Sequence, residues 1–73
     1  MNTISEFMKN IRVDSNLSIS ELSKLSGISA SAISRIERGQ REPLFSTVID
    51  IVNSLNAGDI FYEFLKKTFD NCQ

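Results

Sequence analysis

Histidine is absent from this chain, and there is one cysteine, Cys72. The first absence removes the commonest general base and metal ligand. The second removes any disulfide, and the two together remove the Cys/His sets that hold zinc. Only three glycines occur, and they are scattered, so no glycine-rich loop is available to cradle a phosphate. Serine is plentiful, but no base stands ready to activate it. The serines therefore read as helix caps and solvent-facing positions. No enzyme activity, metal or cofactor is expected. No apolar run approaches the length of a membrane span, and no basic segment leads into an apolar stretch. The expected setting is a reducing cytoplasm without membrane contact.

Seventy-three residues fit one small domain, 1–73, with room for one modest core. Domains of this size often draw stability from a second copy. Eight basic and nine acidic residues leave a net charge of −1, short of the basic footprint usual for nucleic-acid binders. The distribution says more than the sum. Lys24, Arg35, Arg38 and Arg41 fall in one stretch with Glu37 as its single acid, while Glu6, Asp14, Asp50, Asp59, Glu63 and Asp70 lie outside it. One face is expected to be basic although the molecule is not.

Five short helices are legible, with no strand-like alternation and no repeat. Thr3 with Glu6 reads as a capping box, followed by Ile4, Phe7, Met8 and Ile11 at helical spacing and a stop near Asn16. A second box, Ser18 with Glu21, opens a helix with Leu22 and Leu25 inward, ended by Gly27. Ser29 caps a third helix with Ile33 and Ile36 inward, ended by Gly39. After Pro43, the residues Val48, Ile49, Ile51, Val52 and Leu55 mark a fourth. A fifth, residues 59–70, carries Ile60, Phe61, Phe64, Leu65 and Phe69.

Two short helices joined by Ser26-Gly27-Ile28-Ser29 must cross steeply, which is helix-turn-helix geometry. Residues 19–43, ISELSKLSGISASAISRIERGQREP, are similar to the phage-repressor and Cro type of helix-turn-helix, the xenobiotic-response-element family. The likeness rests on Glu21-Leu22, Gly27, Ile28-Ser29, the run from Ile33 through Gly39, and Pro43. It reaches back to Arg12 and forward to Leu55. It implies an all-α, five-helix, lambda-repressor-like fold whose third helix lies in the major groove of double-stranded DNA. Ala30, Ser31, Ser34 and Arg35 would face the bases. Lys24, Ser29, Arg38 and Arg41 would contact phosphates, and Arg12 with Glu37 would form a structural ion pair.

Two positions depart from the family's pattern. Ile19 stands where a glutamine commonly contacts a phosphate, and cannot make that bond. Leu44 stands where a serine commonly caps the fourth helix, so that helix either lacks its cap or starts at Ser46. The small side chains of Ala30, Ser31, Ala32 and Ser34 let the third helix sit deep in a groove. Arg35 is left as the main reader, since an arginine can bond both O6 and N7 of guanine.

The fifth helix carries more apolar surface than a four-helix core needs. That core is expected to cover Ile60, Phe61 and Phe64, leaving Tyr62, Leu65 and Phe69 for a second copy. A homodimer would place two recognition helices about 34 Å apart on an inverted repeat. The implied function is sequence-specific transcriptional regulation, with the restriction–modification controllers as a similar subgroup. The alternative is a protein-binding module on the same fold, an antitoxin or anti-repressor whose last helix grips a protein partner.

Overall fold

The structure, a computed structural model, describes residues 3–70 and the side chains of residues 4–68. Five helices follow one another: α1 (Thr3–Asp14), α2 (Ile19–Ser26), α3 (Ala30–Glu37), α4 (Phe45–Ser54) and α5 (Gly58–Asp70). Among the described residues there is no strand. The all-α architecture is the one the spacing predicts.

Each boundary has a local cause. The chain leaves α1 through Asn16, whose φ of 60° lies in the left-handed region, and Asn tolerates that region better than most residues. The box expected at the start of α1 rests on Thr3, whose side chain lies outside the described residues. At the start of α2 the Ser18 hydroxyl accepts from the Glu21 N–H at 3.0 Å. The Ser18 N–H donates to Glu21 Oε1 at 2.8 Å, so the box is reciprocal. The helix ends at Gly27, with φ 78° and its N–H donating to Ser23 O. A Cβ at Gly27 would touch nothing within 4 Å, so this glycine is required by its backbone angle, not by space. The corner is tightened by one hydroxyl. Ser26 Oγ donates to Leu22 O at 2.8 Å and accepts from the Ile28 N–H at 3.2 Å.

Ser29 then caps α3, accepting from the Ala32 N–H at 3.1 Å. The helix closes at Arg38, and Gly39 turns the chain away at φ 74°. The fourth helix begins at Phe45 behind Leu44, with no side-chain cap, so the lost cap is the outcome and not a later start at Ser46. Asn56, at φ 52°, closes the bend into α5.

Met8, Leu22, Ile33 and Ile51, one from each of the first four helices, are the most completely buried large side chains. Burying each is worth about 1.5–3 kcal/mol. Phe7 extends this core to α5. Its ring stacks on Phe64 at 4.5 Å between centroids and lies 5.7 Å from that of Phe61. Ser5 is buried on the same helix, and a Cβ on Gly39 would lie 3.9 Å from its Oγ, so α1 passes close to the exit of α3.

Two apolar side chains expected inside are outside. Leu25 is 59% exposed, because the inward face of α2 is set by Ile19, Leu22, Ser23 and Ser26, and Leu25 lies off that face. Ile60 is 56% exposed, because α5 docks through Ala57, Phe61, Phe64 and Leu65 at helical spacing. Ile60 sits roughly a quarter turn before Phe61 on that helix.

The Ser18 bonds favour the charged Glu21 carboxylate, and its pKa is lowered, with the backbone bond from Ser18 the largest cause. A carboxylate with a depressed folded-state pKa contributes stability above its unfolded value, about 4.3, and loses it as pH falls through the folded value. Thermal melts should therefore show the Glu21→Gln variant losing less stability than wild type on acidification through that window. Parallel losses in the two proteins would contradict the assignment.

Candidate nucleic-acid interface

The third helix has two unlike faces. Ile33 and Ile36, 1% and 2% exposed, fix which side points inward. Ala30, Ser31 and Arg35 therefore lie outward and exposed, with Ser34 half-buried at the edge of the same face. The Arg35 side chain has no hydrogen-bond or ion-pair partner among the described residues. A planar guanidinium with unused donors thus stands on a surface of methyls and hydroxyls.

The helix is held by a clamp from α1. Arg12 Nε donates to Glu37 Oε2 at 2.8 Å and its second amino nitrogen donates to Glu37 Oε1 at 3.0 Å. The remaining arm donates to Leu17 O at 2.7 Å. The side chains are 13% and 6% exposed. The bonds to Glu37 raise the Arg12 pKa against the opposing effect of burial, so the guanidinium remains charged. One side chain thereby ties α1, the α1–α2 turn and the last turn of α3. The ion pair expected from the sequence is present.

The exit from α3 does not run straight on. It returns beside the start of the same helix, and Arg41 shares a cleft of about 280 Å³ with Ser29, Ala32, Pro43, Leu44 and Thr47. Sequence position alone places Arg41 beyond the far end of α3, so this approach to its N-cap was not legible. Gly39, which reverses the chain, is the one signal that points to it. Arg38 folds back on its own helix, Nε donating to Ser34 O at 3.4 Å, a long and weak bond. Lys24, Ser29, Arg38 and Arg41 are all exposed. Ile19 is half-buried against the core and serves as packing.

On α5, Tyr62 is 61% exposed, with Lys66 Nζ 5.5 Å from its ring centroid, while Leu65 is half-buried against the core. The Phe69 side chain and Cys72 lie outside the described residues. Leu44, marked in the sequence only as a lost cap, and Phe45, not marked there at all, are 65% and 73% exposed at the end of the exit loop.

The clamp gives a test. Glu37→Met leaves the Arg12 charge largely buried without its counter-charge and should cost roughly 3 kcal/mol in chemical denaturation. Adding Arg12→Met should return much of that loss, because two apolar side chains replace two desolvated ions. Additive losses in the double variant would mean that the pair is not the tie described.

A family model described as helix-turn-helix matches residues 8–60, which takes in the latter part of α1, the whole of α2, α3 and α4, and the start of α5. Comparison with curated proteins and with solved structures returned no match. Among the described residues no helix is long and apolar enough to cross a membrane. The matched span contains the Gly27 corner, the outward face of α3 and the Arg12–Glu37 clamp, and the chain belongs to the helix-turn-helix family as a DNA-binding transcriptional regulator of the repressor and Cro kind.

Proposed function

We propose that the protein acts in the cytoplasm as a homodimer on a short inverted-repeat operator, with α3 of each copy in a major groove. The observation that carries this reading is the exposed guanidinium of Arg35, without a partner among the described residues, on a helix whose opposite face is locked by Ile33 and Ile36. In this reading Arg35 bonds a guanine through O6 and N7, discrimination worth about 1–3 kcal/mol. Ala30 offers a methyl group to a thymine methyl. Ser31 and Ser34 bond either kind of edge and discriminate little. Sequence-dependent DNA shape then supplies much of the remaining preference.

Lys24, Ser29, Arg38 and Arg41 set the register by phosphate contact. Arg38 gives up its weak bond to Ser34 O when a phosphate is near, since a charge-assisted bond is the stronger of the two. The dimer forms through α5, where Tyr62 is exposed and Leu65 lies at the edge of the core; the Phe69 side chain, also expected there, lies outside the described residues. Association squares the modest discrimination of one half-site. The controllers of restriction–modification systems are one kind of small regulator that would fit, and a neighbouring methyltransferase gene would favour that assignment.

The experiment is a gel shift with an operator selected from a random pool. Arg35→Ala should lose roughly tenfold or more of the preference for operator over scrambled duplex. Arg41→Ala should weaken both duplexes alike. Equal weakening by Arg35→Ala on both would overturn the readout role. A protein that stays monomeric in sedimentation at all concentrations, and is captured by another chain through α5, would favour the antitoxin or anti-repressor reading.

A further inference from the structure

The exit loop pairs cations with apolar side chains that the fold leaves uncovered. Leu44 and Phe45 are 65% and 73% exposed, and among the described residues Phe45 is the most exposed of the large hydrophobic side chains. Folding does not need them there. The family-typical residue at position 44 would cap α4, and Leu44 gives up that cap. The position of Leu44 ties it to a particular neighbour, and Phe45 follows it directly as the first residue of α4. Leu44 lines the same cleft as Ser29, the N-cap of α3, and as Arg41. The N-terminal turn of a recognition helix is the part that enters the groove. A side chain beside that turn therefore stands next to a DNA strand whenever the helix is docked. Arg38 and Arg41 lie in the same exit and attract that strand's phosphates, with Glu42 the only opposing charge nearby in the loop.

We propose that Leu44 and Phe45 form an apolar contact on the deoxyribose edge of the DNA strand flanking the docked recognition helix. The inference rests on the DNA-binding reading above and deepens it. The sugar faces between successive phosphates are the apolar part of the backbone. Two exposed hydrophobic side chains set among arginines match that alternation of charge and apolar surface. The contact gives the chain sequence-independent affinity that salt does not screen. It also accounts for how a protein of net charge −1, with Ile19 in place of a phosphate-bonding glutamine, holds a polyanion.

Salt dependence separates this contact from a phosphate contact. Each neutralised phosphate contributes about 0.9 to the slope of log affinity against log salt, and an apolar contact contributes nothing to it. Binding of a mixed-sequence B-form duplex should be measured over a salt series for wild type, Leu44→Ser, Phe45→Ser and Arg41→Ala. The two serine variants should lose roughly tenfold in affinity at every salt concentration with the slope unchanged. Arg41→Ala should lower the slope by about one phosphate. Leu44→Ser should at the same time raise the melting temperature, because it restores a serine cap to α4. Stability and DNA affinity then move in opposite directions, and misfolding cannot imitate that result.

Unchanged affinity in both serine variants, with Arg41→Ala still weakening binding and lowering the salt slope, would overturn this inference and leave the DNA-binding reading standing. No salt-dependent binding by wild type would remove the reading itself. Loss of self-association in Phe45→Ser, seen by sedimentation without DNA, would assign the pair to a second copy and overturn the proposal.

Discussion

Arg12 is the residue on which the geometry of this molecule turns. Its guanidinium meets both oxygens of Glu37 and the carbonyl of Leu17, so α1, the turn that follows it and the distant end of α3 are fixed by one planar group. A buried ion pair of this kind adds little net stability relative to apolar side chains of similar volume, because both charges lose water. What it supplies is direction. Apolar contacts by Ile33 and Ile36 are tolerant of a small roll of α3, whereas a two-pronged bond to Glu37 is not. The roll of α3 decides whether Arg35 points outward, so the clamp links the core to the face proposed to meet DNA.

The rest of the design follows from the shortness of the helices. Two eight-residue helices cannot persist alone, and each depends on its caps and on packing. The Ser18–Glu21 box, the Ser26 hydroxyl and the Ser29 cap account for much of the serine content, and none of these roles is catalytic. Gly27 supplies the left-handed residue that lets α2 and α3 meet at a corner. Near-zero net charge is compatible with DNA binding because the basic side chains of the second half of the motif are exposed, while the one acid among them, Glu37, is consumed by Arg12.

The helix boundaries and the corner were legible in the sequence because caps and left-handed residues act within a few positions along the chain. Ser18, Gly27, Ser29 and Gly39 each do what their local chemistry dictates. The Arg12–Glu37 pair was legible only through resemblance, since 25 residues separate the partners and no spacing rule spans that distance. The burial of individual side chains was less accessible. Leu25 and Ile60 have helical spacing to buried neighbours, yet each lies off the face that docking selects, and that choice depends on where the other helices sit. Phe7 decides it for α5 by stacking on Phe64. The return of Arg41 toward Ser29 is likewise a tertiary result, set by the path of a loop with no periodicity to read.

The central claim is that the outward face of α3 and the returning exit loop together form the surface that meets a duplex. Amide chemical shifts recorded while a duplex is titrated into the protein test it most directly. The account predicts the largest changes at Ser31, Ser34, Arg35, Arg41 and Phe45, with Met8 and Ile51 nearly still. Changes confined to α5, with Arg35 unmoved at saturation, would contradict it.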